Sequence, residues 1–159
     1  GEEPSPLVFV GRGGDRISIG TPICFEDTVP AACRSLVWRD GEKVVDVLVN
    51  ASNDGWFGSS MGPRSSHLQL ARFRAIENRV PMVRVVNTGT TAWIDSCGRL
   101  RAVCPPLEPG WLVARTELDD RRTLFARIGQ WPSAVFMVAT MGLLASTIRL
   151  RSGSILQNP

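Results

Sequence analysis

The chain has 159 residues, with 18 Lys and Arg against 15 Asp and Glu and a formal net charge of +3. The length suffices for one ordinary domain. Basic residues are scattered rather than gathered in a run, which argues against a nucleic-acid partner. A single histidine and four cysteines without a Cys-x-x-Cys spacing argue against a zinc site. A disulfide framework is not expected in a chain of this size with an ordinary apolar core.

The first third of the chain alternates strand and helix signals. Residues 17–19 lead through Gly20-Thr21-Pro22 into residues 23–25, which predict a short strand. A helix with a proline in its first turn follows to about Asp40, and Gly41 stops it. Residues 44–49 are almost entirely apolar, which is typical of a buried strand in a parallel sheet. This alternation predicts an α/β unit.

The middle of the chain continues the same alternation. A helix is predicted to start at Ser66, with a capping-box glutamine three residues later. Residues 82–87 predict a further strand, and residues 91–94 and 100–103 flank a turn and predict a hairpin. Residues 110–114 predict one more strand. The α/β unit is therefore expected to cover residues 1–118.

The C-terminal part of the chain has a different composition. Residues 128–148 contain no charged side chain, and arginines follow them. Because about 20 helical residues cross a bilayer, we predict a transmembrane helix over residues 131–150. A linker over 119–130 and a disordered tail over 151–159 complete the organisation. The alternative is a buried core helix of a soluble protein, and the basic residues at the two ends do not decide an orientation.

Cys24 is the candidate nucleophile. It follows an apolar strand and precedes a helix, whose first N–H groups would point at the sulphur and stabilise a thiolate. The backbone amide of Phe25 could hold an oxyanion, and Glu26 adds a supporting carboxylate nearby. The alternative is that Cys24, like many cysteines at strand ends, is structural.

A polar and aromatic loop over residues 50–58 follows the next strand. Asn53 and Asp54 are either catalytic or loop-forming residues that hydrogen-bond their own backbone, and we favour the second interpretation. Trp56 and Phe57 lie between glycines and form either an apolar lip or a turn packed on the core.

The single histidine and the other cysteines are interpreted as structural. His67 could act as the base of a Cys–His pair. We instead expect a half-exposed histidine at a helix start, because no orienting third group is evident. Cys33 and Cys104 are expected to be small buried residues, and Cys97 to be exposed in a turn. Single bridges of Cys97 to Cys33 or Cys104 stay open.

Four motifs, in this order, resemble those of the apolipoprotein N-acyltransferases, the membrane branch of the nitrilase superfamily of carbon–nitrogen hydrolases. They are Ile23-Cys24-Phe25-Glu26 and residues 48–58, 67–77 and 84–89. The resemblance covers about residues 17 to 150. It implies the C-terminal half of a nitrilase-like αββα sandwich, followed by one transmembrane helix.

The resemblance also implies an activity. Cys24 would take an acyl chain from a phospholipid as a thioester and pass it to the N-terminal amine of a diacylglyceryl prolipoprotein, without cofactor or metal. Substrate contacts would fall on Asn53, Trp56, Phe57, Asn87 and Thr88. The enzyme would lie in the bacterial inner membrane, with its catalytic domain on the periplasmic side.

The family's catalytic Glu and Lys precede the cysteine, and no residue here matches them. Lys43, the only lysine, follows Cys24, and Glu2 and Glu3 match no motif. We therefore expect a missing N-terminal half as partner and an inactive isolated chain. Two rival interpretations stay open: a soluble nitrilase or amidase that hydrolyses a C–N bond, and a non-catalytic membrane-tethered remnant.

Overall fold

The computed structural model describes the backbone of residues 5–155 and the side chains of residues 5–147. Glu2, Glu3 and residues 156–159 of the predicted tail lie outside the described residues. The chain divides into two compact units, residues 1–127 and residues 128–159.

The first unit contains a six-stranded sheet, a short two-stranded ribbon and three helices, the last of which reaches the boundary between the units. The strands are β1 Leu7–Val10, β2 Arg16–Gly20, β3 Trp38–Arg39, β4 Glu42–Lys43, β5 Val47–Asn53, β6 Met82–Asn87, β7 Thr91–Ile94 and β8 Leu100–Cys104. The helices are α1 Pro30–Val37, α2 Met61–Asn78 and α3 Leu124–Ile128, and two 3-10 turns span Cys24–Thr28 and Gly55–Phe57.

The sheet order brings three chain segments to one edge. The strands follow the order β1-β2-β5-β6-β7-β8. β2, β5 and β6 are parallel, whereas β1, β7 and β8 pair antiparallel to their neighbours. Because the carboxyl ends of parallel strands meet at the same edge, the segments that follow β2, β5 and β6 lie together.

One face of the sheet carries the core. Inward residues of β5 and β6, such as Leu48 and Met82, are fully buried together with Ala71 and Ala75 of α2. Small residues on α2 let this helix pack close to the sheet. The opposite face is more open, since Val85 of β6 is 53 % exposed.

Several predicted strands and helices are confirmed, and others form with different first or last residues. The strand over 82–87 and the hairpin of β7 and β8 form as predicted. The strand predicted over 44–49 forms three residues later, as β5. The helix predicted to start at Ser66 begins five residues earlier, at Met61. Residues 110–114 form no strand.

Two predictions near the nucleophile are wrong. Residues 23–25 do not form a strand, because Ile23 makes only an isolated bridge to Ala51 and Cys24 starts a 3-10 turn. The helix predicted to reach Asp40 ends at Val37. Its expected last turn instead becomes β3, which pairs with β4 around the left-handed residues Asp40 and Gly41.

We predicted a linker over residues 119–130. The part of this segment that belongs to the first unit packs against the rest of that unit. The Lys43 ammonium donates to the Asp119 carbonyl, and the Thr123 hydroxyl donates to the Glu77 carbonyl. Arg34 Nη2 donates to the Ala126 carbonyl over 2.9 Å, and Ala126 is fully buried.

The second unit is dominated by α4, a helix of 25 residues over Trp131–Ile155. Its described apolar side chains are exposed, for example Phe136 at 74 % and Leu143 at 68 %. Among the described residues, no helix combines the length and apolarity needed to cross a membrane. The predicted transmembrane span over 131–150 is thus not confirmed. Residues 151–155, predicted as tail, belong to α4.

Candidate active site

Cys24 lies at a sharp elbow after β2. Its φ of 50° is left-handed, a conformation that costs free energy in a non-glycine residue and often marks a functional site. The buried Asn50 of β5 fixes this elbow, because its Nδ2 donates to the carbonyls of Pro22 and Cys24 over 3.0 and 3.1 Å. Glu26 Oε2 accepts from the Ile23 amide over 2.7 Å. The predicted supporting carboxylate therefore stabilises the turn that presents the thiol.

The Cys24 sulphur is half-buried and faces the end of β5. Ser52 Oγ lies 3.7 Å from Cys24 Sγ and 3.1 Å from Asp54 Oδ1. A single hydroxyl thus links the candidate nucleophile to the polar interior. The oxyanion role of the Phe25 amide, at the next position of the turn, stays a prediction.

Beneath the elbow, four buried charged side chains form a closed ring, which we call the ion ring: Asp27, His67, Asp54 and Arg84. His67 Nε2 lies 2.6 Å from Asp27 Oδ1, and His67 Nδ1 lies 2.9 Å from Asp54 Oδ1. Arg84 Nε donates to Asp27 Oδ2 over 3.1 Å, and Arg84 Nη2 lies 3.4 Å from Asp54 Oδ2. All four side chains are at most 3 % exposed.

The ion ring gives its buried polar groups partners on both sides. Both ring nitrogens of His67 face carboxylate oxygens, and Arg84 bridges the same two carboxyl groups. The arrangement satisfies the rule that buried polar and charged groups are paired. The ion ring joins four parts of the chain, namely the 3-10 turn (Asp27), helix α2 (His67), the loop after β5 (Asp54) and strand β6 (Arg84). No group of three or more His, Cys, Asp and Glu side chains in the described part of the chain could hold a metal ion.

The ion ring corrects two predictions. His67 is 3 % exposed and lies well inside α2, because this helix begins at Met61 rather than Ser66. Asp54 is a buried ion-ring member instead of a loop-forming residue. Asn53 does form the predicted local turn, since its Oδ1 accepts from the Gly55 amide over 3.0 Å. The overlooked signal was Arg84, a charge at an inward position of an otherwise apolar strand.

The aromatic side chains form a lip over the ion ring. Trp56 is 68 % exposed and stacks on Phe57 with ring centroids 4.9 Å apart. Phe25 is 53 % exposed and meets Trp56 edge-on at 6.4 Å. Phe57 packs its ring against His67 at 6.2 Å. Both earlier interpretations therefore apply: Phe57 packs down, while Trp56 faces outward.

The segment after β6 completes this edge of the sheet. The Asn87 carbonyl accepts from the Asp54 amide over 3.1 Å, and Asn87 Nδ2 lies 3.5 Å from Asn53 Oδ1. Thr88 has a left-handed φ of 63°, and its Oγ1 is buried without a hydrogen-bond partner in the described residues. Asn87 and Thr88 also line a cavity of about 460 Å³. The predicted site residues from both loops thus come together.

The other cysteines lie apart from this arrangement, and all four thiols are free. Cys33 is fully buried, and burial raises the pKa of its thiol to about 12. Cys97 is half-buried rather than exposed, and a hydrogen bond from Arg121 lowers its pKa. Cys104 is half-buried, not fully buried as predicted.

Lys43 is bound away from the thiol. Its ammonium donates to the carbonyls of Arg79 and Asp119 and lies 5.4 Å from the centroid of the Trp38 ring. Burial lowers its pKa. These contacts assign Lys43 to the structure of the β3–β4 ribbon.

Known proteins resemble this chain in both sequence and fold. The carbon–nitrogen hydrolase family matches residues 1–125. An apolipoprotein N-acyltransferase of Geobacter metallireducens is 40 % identical over 111 residues, which are 70 % of this chain and 20 % of that protein. An apolipoprotein N-acyltransferase of Chlorobaculum tepidum is 33 % identical over 152 residues, or 95 % of this chain and 28 % of that protein.

The chain therefore spans between a fifth and a third of the length of these two relatives. A crystal structure of a carbon–nitrogen hydrolase from Helicobacter pylori G27 has a TM-score of 0.53 and 14 % identity, over 67 % of this chain and 41 % of that one. That likeness supports the α/β nitrilase-like fold. The match over residues 1–125 shows that the chain belongs to the carbon–nitrogen hydrolase family.

Proposed function

We propose that this chain carries the nucleophile of an apolipoprotein N-acyltransferase. The observation that carries the proposal is the elbow at Cys24, which is left-handed, clamped by Asn50 and placed beside an exposed aromatic lip. Relatives that carry this name match 70 % and 95 % of the chain. A thiol beside exposed aromatic side chains suits an acyl chain as its first substrate.

The proposed reaction has two acyl-transfer steps. The Cys24 sulphur bonds to the carbonyl carbon of a phospholipid ester, the ester C–O bond breaks, and the thiol proton leaves with the lysophospholipid hydroxyl. The N-terminal amine of the diacylglyceryl prolipoprotein then attacks the thioester, forming an amide and returning its proton to the sulphur. A covalent intermediate replaces one difficult transfer with two easier ones.

The neighbouring residues would hold and orient the acyl group. The Phe25 amide would donate to the oxyanion, while Glu26 keeps the turn in shape through the Ile23 amide. Trp56 and Phe57 would contact the incoming acyl chain. Asn87 and Thr88, which line the cavity of about 460 Å³, and the neighbouring Asn53 would contact the substrate on that side of the site.

We propose a membrane location, with α4 as the part that associates with lipid. Its described apolar side chains are exposed around the helix, and lipid would cover such a surface. The bacterial inner membrane is the proposed compartment, with the α/β unit on the periplasmic side, where both lipid substrates would approach laterally. Lys43 would not serve as the family's oxyanion lysine, because its ammonium is bound by the carbonyls of Arg79 and Asp119. We propose that this lysine and the base are supplied by the missing N-terminal half of the enzyme.

The test uses a chimera in which this chain replaces the matching segment of the Geobacter metallireducens relative. The chimera is incubated with phosphatidylethanolamine that carries a labelled acyl chain. We expect a hydroxylamine-sensitive label on the Cys24 peptide, chased onto a lipopeptide with a free N-terminal amine. Cys24→Ser should abolish the thioester, whereas the matched control Cys97→Ser should retain it. Label that does not depend on Cys24, or ammonia release from small amides without acyl transfer, contradicts the proposal.

A further inference from the structure

Arg64 is a buried cation in the first turn of α2. It is 2 % exposed and is the fourth residue of a helix that begins at Met61. Both circumstances disfavour an arginine, because a charge is costly to remove from water and a cation in the first turn opposes the helix dipole. Among the residues whose side chains are described, no carboxylate lies within ion-pair distance of Arg64. Stability alone therefore does not account for this charge.

The guanidinium binds the loop that carries the aromatic lip. Arg64 Nη2 donates to the Gly58 carbonyl over 2.6 Å, and Arg64 Nη1 donates to the Ser60 carbonyl over 3.0 Å. A guanidinium only donates and a carbonyl only accepts, so the chemistry of the two groups fixes the direction of both hydrogen bonds. Arg64 Nε is buried and has no hydrogen-bond partner in the described part of the chain. The two loop carbonyls are thus the acceptors that hold this charge.

The same loop carries the two aromatic residues of the lip, Trp56 and Phe57. The amides that follow Trp56 bond carbonyls of the loop itself. In the part of the chain that the structure describes, Arg64 is the only side chain that hydrogen-bonds residues 56–60. His67, on the same helix, packs its ring against Phe57 at 6.2 Å, and Phe57 stacks on Trp56 at 4.9 Å. The position of the lip therefore depends on two side chains of α2.

We propose that Arg64 is a positioning residue that fixes the lip beside the Cys24 elbow, where it would contact the acyl chain of the donor. The guanidinium bonds two carbonyls and so fixes the backbone next to the aromatic rings. Because Gly58 and Ser60 are exposed, their carbonyls can hydrogen-bond water when the guanidinium is removed. Arg64 therefore determines the position of the lip and not the stability of the fold. The acyl-chain contact rests on the proposed function, whereas the position of the lip does not.

The test measures how fast chymotrypsin cleaves the folded 159-residue chain in detergent after Trp56 and Phe57, with the products quantified by mass spectrometry. Arg64→Met keeps an unbranched side chain but removes both donors, so cleavage in the lip should rise about tenfold, the effect of losing a charged hydrogen bond. Arg64→Lys retains a cation without the planar fork and should give an intermediate rate. Arg72→Met is the matched control, because Arg72 lies on the same helix and donates to the Gly98 carbonyl outside the loop. Its cleavage rate in the lip should equal that of the parent chain.

Two further measurements separate a released lip from a destabilised fold. Cleavage after Trp111, which is 83 % exposed, should be equal in Arg64→Met and the parent chain. The denaturant midpoint should be equal or higher, because an apolar side chain replaces a buried charge without a counter-ion. An unchanged cleavage rate in the lip overturns the proposal. A lower midpoint with faster cleavage at every site, or an Arg64→Met chain that does not fold, also overturns it, because Arg64 would then be structural.

The chimera with the Geobacter metallireducens relative tests the acyl-chain contact. Arg64→Met should raise the KM for phosphatidylethanolamine several-fold and lower kcat less, because a displaced lip binds the acyl chain poorly. A merely structural role would reduce the amount of folded enzyme and leave the KM unchanged, so an unchanged KM overturns this contact. Cleavage by chymotrypsin needs no acyl donor. The acyltransferase proposal can therefore fail while the position of the lip is confirmed, and the reverse.

Discussion

At the scale of single residues, the ion ring is the feature on which the candidate site depends. His67 contacts both carboxylates of the ring, and its side chain is only 2 % exposed. Removing one partner of a buried pair leaves charge without solvent or counter-ion, which costs far more than losing an exposed pair. The histidine that we expected to be half-exposed at a helix start therefore holds the turn of Cys24 to the loop after β5.

His67→Ala should lower the free energy of unfolding by about 3–5 kcal/mol, because Asp27 and Asp54 each lose a buried partner and share only Arg84 as a charged neighbour among the described residues. Arg101→Ala is the matched control, since Arg101 lies 4.0 Å from Asp95 and is 49 % exposed. Its cost should stay within about 1 kcal/mol. Denaturant titration of both variants in the same detergent gives the comparison. Equal losses would show that the ion ring contributes nothing special to stability.

At the scale of elements, the site depends on how closely the segments after β5 and β6 approach. A Cβ at Gly89 would lie 2.3 Å from Asp54 Oδ2 and 2.5 Å from Val86 Cγ1. Only glycine fits here, since real Cβ contacts do not occur below 3.0 Å. The backbone after β6 therefore lies in close contact with the Asp54 carboxylate, which accepts a hydrogen bond from Ser52.

Gly89→Ala should destabilise the chain by about 1–3 kcal/mol, because a methyl group overpacks this contact. Gly62→Ala is the control, since a Cβ there, near the start of α2, would meet nothing within 4 Å. That change should be neutral or stabilising by up to about 1 kcal/mol. Thermal unfolding of the two variants checks the sign. A stable Gly89→Ala chain would contradict the close approach.

At the scale of the whole molecule, apolar surface is exposed in both units. In the first unit, the four residues of β1 are 46–67 % exposed, and Trp111 is 83 % exposed. In the second, the described apolar residues of α4 include Met137 at 61 % and Met141 at 63 %. Exposed apolar side chains gathered on one element often mark a surface that binds a partner. We propose that the exposed surface of α4 is the one that meets lipid.

The chain should float with phosphatidylethanolamine and phosphatidylglycerol vesicles in a density gradient. Met137→Lys combined with Met141→Lys should abolish flotation, because two charges on the exposed apolar surface of α4 oppose its burial among acyl chains. Val103→Lys combined with Leu107→Lys places the same charges on exposed residues of the α/β unit and should leave flotation intact. Flotation of the first double variant would exclude α4 as the membrane-associating part.

The sequence by itself determined the features that depend on neighbours along the chain. The strand over 82–87, the hairpin of β7 and β8, and the Asn53 turn follow from local alternation and turn chemistry. The motif around Cys24 also stood out within a few residues. Each feature needs only contacts that a short segment makes with itself or with the next one.

Only the tertiary structure decided the role of the charged residues. Arg84 and Asp27 are 57 positions apart, and His67 and Asp27 are 40 apart, so no local pattern pairs them. Their pairing follows from parallel strands that bring distant loops to one edge of the sheet. A buried charge is tolerated only where that topology supplies its partner, and this is why His67 was misread as half-exposed and Asp54 as a loop residue.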